Sequence, residues 1–93
     1  MPNNKKYEIV PSNTFLKELN KLSDAHKNRV LDTLEILKRT PFYPSLRTKK
    51  LKGGYDERFE SSVNMDIRVI WRFDGDRIII ALDVGHHDVL KKY

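Results

Sequence analysis

The chain reads as an α+β domain: a small, antiparallel-rich β-sheet in the order β-α-α-β-β-β-β, with an N-terminal helical hairpin packed on one face. Three observations predict it. Apolar residues recur at helical spacing through the first half of the chain, behind two capping pairs, Ser12-Asn13 and Ser23-Asp24. After Pro44 the period changes to two. Asp74-Gly75, between two such alternating runs, is a strong tight-turn signal.

Each element follows in order. Tyr7-Glu8-Ile9-Val10 is a short strand stopped by Pro11. Ser12 or Asn13 then caps a helix whose apolar face is Phe15, Leu16, Leu19 and Leu22. Ser23 and Asp24 open a second helix. Val30, Leu31, Leu34 and Leu37 form its stripe, and Pro41 ends it after Lys38-Arg39. The short gap between the helices makes an antiparallel hairpin. Phe42-Tyr43-Pro44-Ser45 is a loop, and Leu46 to Lys52 is strand-like but very basic, ending in a Gly53-Gly54 turn. From Arg58 to Val63, Phe59, Ser61 and Val63 alternate against Arg58, Glu60 and Ser62. Ile67, Val69, Trp71 and Phe73 alternate with Arg68, Ile70 and Arg72. Arg77 to Val84 is the most apolar strand, expected at the centre of the sheet.

Ninety-three residues make a single domain, residues 1–93, with one modest core. Apolar residues are 39% and charged residues 33%, which places the chain among globular proteins and not among disordered ones. Without cysteine there is no disulfide scaffold, thiol nucleophile or cysteine-based metal site, which fits a reducing cytoplasm. No apolar stretch approaches a membrane span, and Met1 to Lys6 lacks the apolar region of a signal peptide. The net charge of +5 favours an anionic partner, nucleic acid first.

Four groups of residues could carry chemistry. Arg47, Lys49, Lys50 and Lys52 put positive charge on both faces of one strand, which suits a phosphate backbone; solvated edge strands also carry lysine against aggregation. Arg68 and Arg72 share a strand face. An arginine there can clamp a phosphate and stabilise a pentacovalent transition state, or simply pair with Glu57, Glu60 or Asp83. Glu60, Ser62 and Asp66 lie on or near the adjacent hairpin, where a carboxylate beside a histidine can act as base or orient the ring. The apolar strand ends in His86-His87, with Tyr93 beyond. Adjacent residues at a strand end point opposite ways, so the two histidines do different jobs. His-His-Asp lacks the spacing of common metal sites, so no metal is expected, and no cofactor. RNA cleavage by the internal 2′-hydroxyl needs only a base, an acid and cations, and these residues supply all three.

The chain resembles the RelE/ParE toxin superfamily of type II toxin–antitoxin systems. The resemblance is carried by Phe15-Leu16-Lys17-Glu18-Leu19, by Pro44 to Gly53, by Met65-Asp66-Ile67-Arg68-Val69-Ile70-Trp71-Arg72, and by Asp83 to Leu90. It covers essentially the whole chain in length, element order and basicity. It implies a small sheet with two helices on one face. For the RelE and YafQ branches it implies an endoribonuclease that cuts mRNA on the ribosome. His87 falls where those branches carry a catalytic His or Arg. Asp66 and Glu60 fall at or near acidic positions of the YafQ-like branch. Lys49, Lys50 and Lys52 lie where RelE-like members carry catalytic lysines or a histidine, and Arg68 sits in the shared strand pattern. Tyr93 stands where RelE-like members have a functional tyrosine. Ser62 departs from the pattern, replacing a histidine of YafQ-like members.

The resulting expectation is a cytoplasmic, metal-independent mRNA interferase. Its catalytic residues would be His87, Arg68, Glu60, Asp66, Lys52 and Tyr93. Arg47, Lys49, Lys50, Lys52 and Arg72 would bind phosphate. Its partners would be a cognate antitoxin, the ribosome with its mRNA and, through the antitoxin, operator DNA; no membrane is involved. Two other readings belong to the same resemblance: a non-enzymatic DNA gyrase inhibitor of the ParE type, and an attenuated homologue acting as an antitoxin-bound corepressor.

Overall fold

In a computed structural model, residues 6–53 and 57–93 are described. The elements are β1 (Glu8–Pro11), α1 (Asn13–Asn20), α2 (Asp24–Arg39), β2 (Lys49–Lys50), β3 (Phe59–Ser62), β4 (Ile67–Asp74) and β5 (Ile78–His86). Short 3₁₀ turns span Pro44–Leu46 and Val89–Lys92. The strands form one five-stranded sheet in the order β1-β5-β4-β3-β2. β2 to β5 are antiparallel, and β1 runs parallel to β5.

The helices start where the serines put them. Ser12 Oγ accepts from the Phe15 N–H at 3.0 Å, and Ser23 Oγ accepts from the His26 N–H at 3.2 Å. Each bond satisfies one of the donors orphaned in a first helical turn. Phe15, Val30 and Leu37 come from the hairpin to meet Ile67, Val69, Trp71, Ile79, Ala81 and Val84 from the sheet. All are essentially removed from water, and this layer is the core. Phe59 stacks on Trp71 with centroids 4.7 Å apart, and Phe73 meets Trp71 edge-on at 5.0 Å. The Trp71 Nε1–H donates to Ser61 Oγ at 2.8 Å, so the buried indole keeps a partner.

Two expectations need correction and a third is sharpened. The basic run Leu46 to Lys52 is not one strand. Pro44 starts a 3₁₀ turn, Leu46 buries itself in the core, and Arg47 adopts a left-handed conformation at φ 48°. Only Lys49–Lys50 then pairs with β3. The middle strand is β4, and β5 lies one place out from it, an inner strand between β1 and β4. On the helices, Leu16 and Leu31 are exposed and not core. They line an apolar groove of about 710 Å³ with Tyr7, Ile9, Leu19 and Leu34. Gly53 has φ 84°, as a turn requires. Gly54, the other half of that expected turn, lies outside the described residues.

One irregularity positions everything that follows. Trp71 pairs with Ala81 but Ile70 pairs with Asp83, so Leu82 is an extra residue, a β-bulge in β5. Ser12 holds it: its N–H donates to the Ala81 carbonyl at 2.9 Å and its hydroxyl to the Leu82 carbonyl at 2.9 Å. Beyond the bulge the side-chain alternation is reversed. Val84 now faces the core beside Val69, while Asp83 faces the opposite side beside Ile70.

Candidate active site

The sheet face away from the helices carries Glu60 and Ser62 from β3 and Arg68 from β4. Glu60 is the cross-strand partner of Lys49, whose Nζ lies 3.8 Å from Oε1. Arg68 sits on the neighbouring strand, with Nε 3.4 Å from Glu60 Oε2. Its Nη1 donates to the Asn64 carbonyl at 2.7 Å and to the Ile67 carbonyl at 3.2 Å. Three contacts therefore fix the guanidinium, and its side chain is only 18% exposed.

The bulge brings the histidine. His86 lies opposite Ile67 on the helix side of the sheet, and His87 turns to the open side. The His87 N–H donates to the Asp66 carbonyl at 2.7 Å, which anchors the backbone. Its Nδ1 then lies 3.8 Å from Glu60 Oε2. The Glu60 side chain is 11% exposed and that of His87 49% exposed. A deep carboxylate thus gathers an arginine, a lysine and an imidazole. Together with Arg47 and Ser62 they line one hollow of about 230 Å³. Arg47, Lys49 and Arg68 outweigh Glu60 in charge, so the hollow suits an anion.

The other expected residues lie elsewhere. Asp66 joins His86, with Oδ2 and Nδ1 2.5 Å apart, and the His26 ring is 6.2 Å from that of His86. The hydrogen bond to His86 is the main reason the Asp66 carboxyl is held below the usual range. Tyr93 folds over the open face and donates its hydroxyl to Asp83 Oδ2 at 2.6 Å. Burial first, and this bond second, push its pKa up to about 12. Asp83, almost fully buried, also accepts from the Val84 N–H at 2.8 Å and has Lys92 Nζ at 3.9 Å. Lys50 points the opposite way from Lys49 and pairs with Glu57 at 2.9 Å. Lys52 is exposed past the end of β2, and Arg72 bonds the Phe73 carbonyl at 3.3 Å. Neither lines the hollow. Among the described residues, no three or more His, Cys, Asp or Glu converge where a metal ion could sit. No helix there is long and apolar enough to cross a membrane.

Sequence reasoning missed the Leu82 bulge and the Asp83–Tyr93 pair. It also missed the left-handed backbone at Arg47. The continuous apolar run Ile78 to Leu82 carries no mark of an extra residue, and a bond across ten positions has no periodic signature.

Neither a family model nor a curated protein matches this sequence. Solved structures do. The chain is similar to a protein of the archaeal RelE–RelB complex from Pyrococcus horikoshii OT3, at 26% identity over 87% of this chain and 94% of that one, with a TM-score of 0.73. It matches a chain of the DinJ–YafQ toxin–antitoxin complex of E. coli at 19% identity, covering 92% and 98%, with a TM-score of 0.76. It matches the YoeB/ParE toxin from Agrobacterium tumefaciens at 19% identity, covering 86% and 98%, with a TM-score of 0.73. Two helices over one face of a mixed five-stranded sheet, matched along nearly the full length of each neighbour, give the chain the RelE/ParE-like toxin fold.

Proposed function

We propose that this protein is the toxin of a type II toxin–antitoxin system and acts as an endoribonuclease on mRNA held by the ribosome. The observation that carries the reading is the convergence of His87, Arg68 and Lys49 on the carboxylate of Glu60. Those are the groups that cleavage by an internal 2′-hydroxyl requires.

The roles follow from position. Glu60, deep in the hollow and fixed by Arg68, accepts the proton of the 2′-hydroxyl as that oxygen attacks phosphorus. Arg68 presents a guanidinium that two carbonyl bonds and one carboxylate hold still, so it stabilises the charge of the pentacovalent state without reorganising. His87 is half exposed, with Nδ1 on the Glu60 side, and Nε2 is the ring nitrogen assigned to the substrate. It gives its proton to the departing 5′-oxygen. Lys49 and Arg47 hold the phosphate by charge. The products are a 2′,3′-cyclic phosphate and a free 5′-hydroxyl, and protons balance between base and acid.

An antitoxin segment is the expected protein partner. Its amphipathic stretch would lie in the groove between α1, α2 and β1, where Leu16 and Leu31 stand exposed. The archaeal and E. coli neighbours were each solved in complex with another protein, RelB or DinJ, which supports such a partner here.

Inducible expression followed by mapping of mRNA 5′ ends tests the reading. Cuts within codons that vanish when translation is blocked are expected. Growth arrest with intact mRNA and inhibited DNA supercoiling would point to the gyrase reading instead.

A further inference from the structure

A second hollow, of about 260 Å³, adjoins the first and shares Arg47, Ser62 and Arg68 with it. Its remaining walls are Ser45, Val63, Asn64 and Met65. It is below the usual size of a drug-sized site and of the order of one heterocycle. Two features set it apart from an ordinary surface dip.

The first is Met65. It is 94% exposed, the most exposed large apolar residue described, and it stands on a turn tied by several hydrogen bonds. The Val63 N–H donates to the Ile67 carbonyl at 2.9 Å. Asn64 Oδ1 accepts from the Asp66 and Ile67 N–H groups at 2.8 and 2.7 Å. The Asn64 carbonyl takes the Arg68 guanidinium. A rigid turn thus holds a bare thioether beside the residue assigned to the phosphorane. A polarisable thioether makes favourable contact with an aromatic ring.

The second is Arg47. It is the one non-glycine residue among those described with positive φ, a strained conformation that clusters at ligand sites. That conformation seats its side chain on the wall between the two hollows.

We infer that the second hollow seats a nucleobase flanking the bound phosphate, with Met65 as the surface the ring lies on. Asn64 Nδ2, left as a donor once Oδ1 holds the turn, and the hydroxyls of Ser45 and Ser62 face the edge of the base. This rests on the phosphate assignment of the first hollow and adds a binding subsite that reads the base and not the backbone.

The test is an NMR titration of the whole chain, ¹⁵N-labelled throughout and methyl-labelled at its two methionines, Met1 and Met65. The ligands are inorganic phosphate and adenosine 3′-monophosphate. Both should move His87 and Arg68 resonances, and only the nucleotide should shift the Met65 methyl upfield through its ring current. Met65→Ala, at an exposed position that the fold does not need, should weaken nucleotide binding about two- to tenfold. It should leave phosphate binding unchanged. A Met65 methyl that stays still while the nucleotide moves His87, or an unaltered nucleotide affinity in Met65→Ala, overturns the base subsite and leaves the phosphate site standing. If neither ligand moves His87 or Arg68, the phosphate assignment fails and the subsite falls with it.

Discussion

Replacing Tyr93 with Phe separates a structural tyrosine from a catalytic one. The Tyr93 hydroxyl donates to a carboxylate that is 2% exposed. Removing it leaves one lone pair of buried Asp83 without its donor, while the Val84 N–H and Lys92 stay in place. A hydrogen bond to a charged group contributes about 1.5–3 kcal/mol. Tyr93 is only part-buried, so the lower end applies, about 1.5 kcal/mol. For a domain of this size that corresponds to a fall in Tm of roughly 6–12 °C. The aromatic ring remains, so its contact with Arg58, whose guanidinium lies 5.8 Å from the centroid, is kept. The pH dependence gives a second handle. The folded pKa of about 12 exceeds the ordinary value of 10, so the protonated phenol is favoured by folding. Its contribution is complete below pH 10 and is lost as the pH rises towards 12. The difference between wild type and Tyr93→Phe should therefore shrink across that window. The assay is thermal unfolding by circular dichroism at pH 7 and at pH steps above 9, beside a cleavage measurement well below Tm. An unchanged Tm together with abolished cleavage would refute the reasoning and make the hydroxyl catalytic.

Three further outcomes are expected. Glu60→Gln keeps the shape but removes the base and the counter-charge of Arg68; cleavage should fall by about 10²–10⁴. Ser12→Ala removes both a helix cap and the hydroxyl that holds the Leu82 carbonyl, one of the two donors on the bulge. It should cost about 1–2 kcal/mol in chemical denaturation, and weaken cleavage through His87, which the bulge aims. Asp66→Asn should leave cleavage within a few-fold, since Asp66 serves His86 on the other side of the sheet. The lowered pKa of Asp66 means that its contribution is present above the usual carboxylate range and lost as pH falls through the folded value. The acid sensitivity of Asp66→Asn in a melting series should be correspondingly slighter.

Most of the fold was legible because it rests on local chemistry. Ser12 and Ser23 mark the helix starts, and the alternation from Phe59 to Phe73 assigns each residue of β3 and β4 to its observed face. Leu16 and Leu31 misled because helical spacing gives a face without saying whether anything covers it. The site was half legible. Glu60, Arg68 and Lys49 follow from alternation within paired strands. The opposed directions of His86 and His87 also follow from it, but not which of them faces Glu60. Counting by twos from Ile79 and Ala81 carries Asp83 and His87 to the core side. The extra residue at Leu82 reverses that, and it is held from seventy positions away by Ser12. Resemblance pointed to His87, and the bulge supplies the physical reason for its direction. Arg47, Lys50 and Lys52 look like one basic strand because charge runs are visible in sequence. The turn at Pro44 and the left-handed Arg47 that divide them are tertiary choices.

If His87 and Glu60 move the protons of RNA cleavage across Arg68, the single-turnover rate of mRNA cleavage on programmed ribosomes, compared between wild type and His87→Ala with circular dichroism confirming equal folding, reads it most directly. A loss of about 10²–10⁴ in rate is expected, with an mRNA fragment ending in a 2′,3′-cyclic phosphate in wild type and no compensation by added divalent metal. Cleavage by folded His87→Ala at the wild-type rate would contradict it.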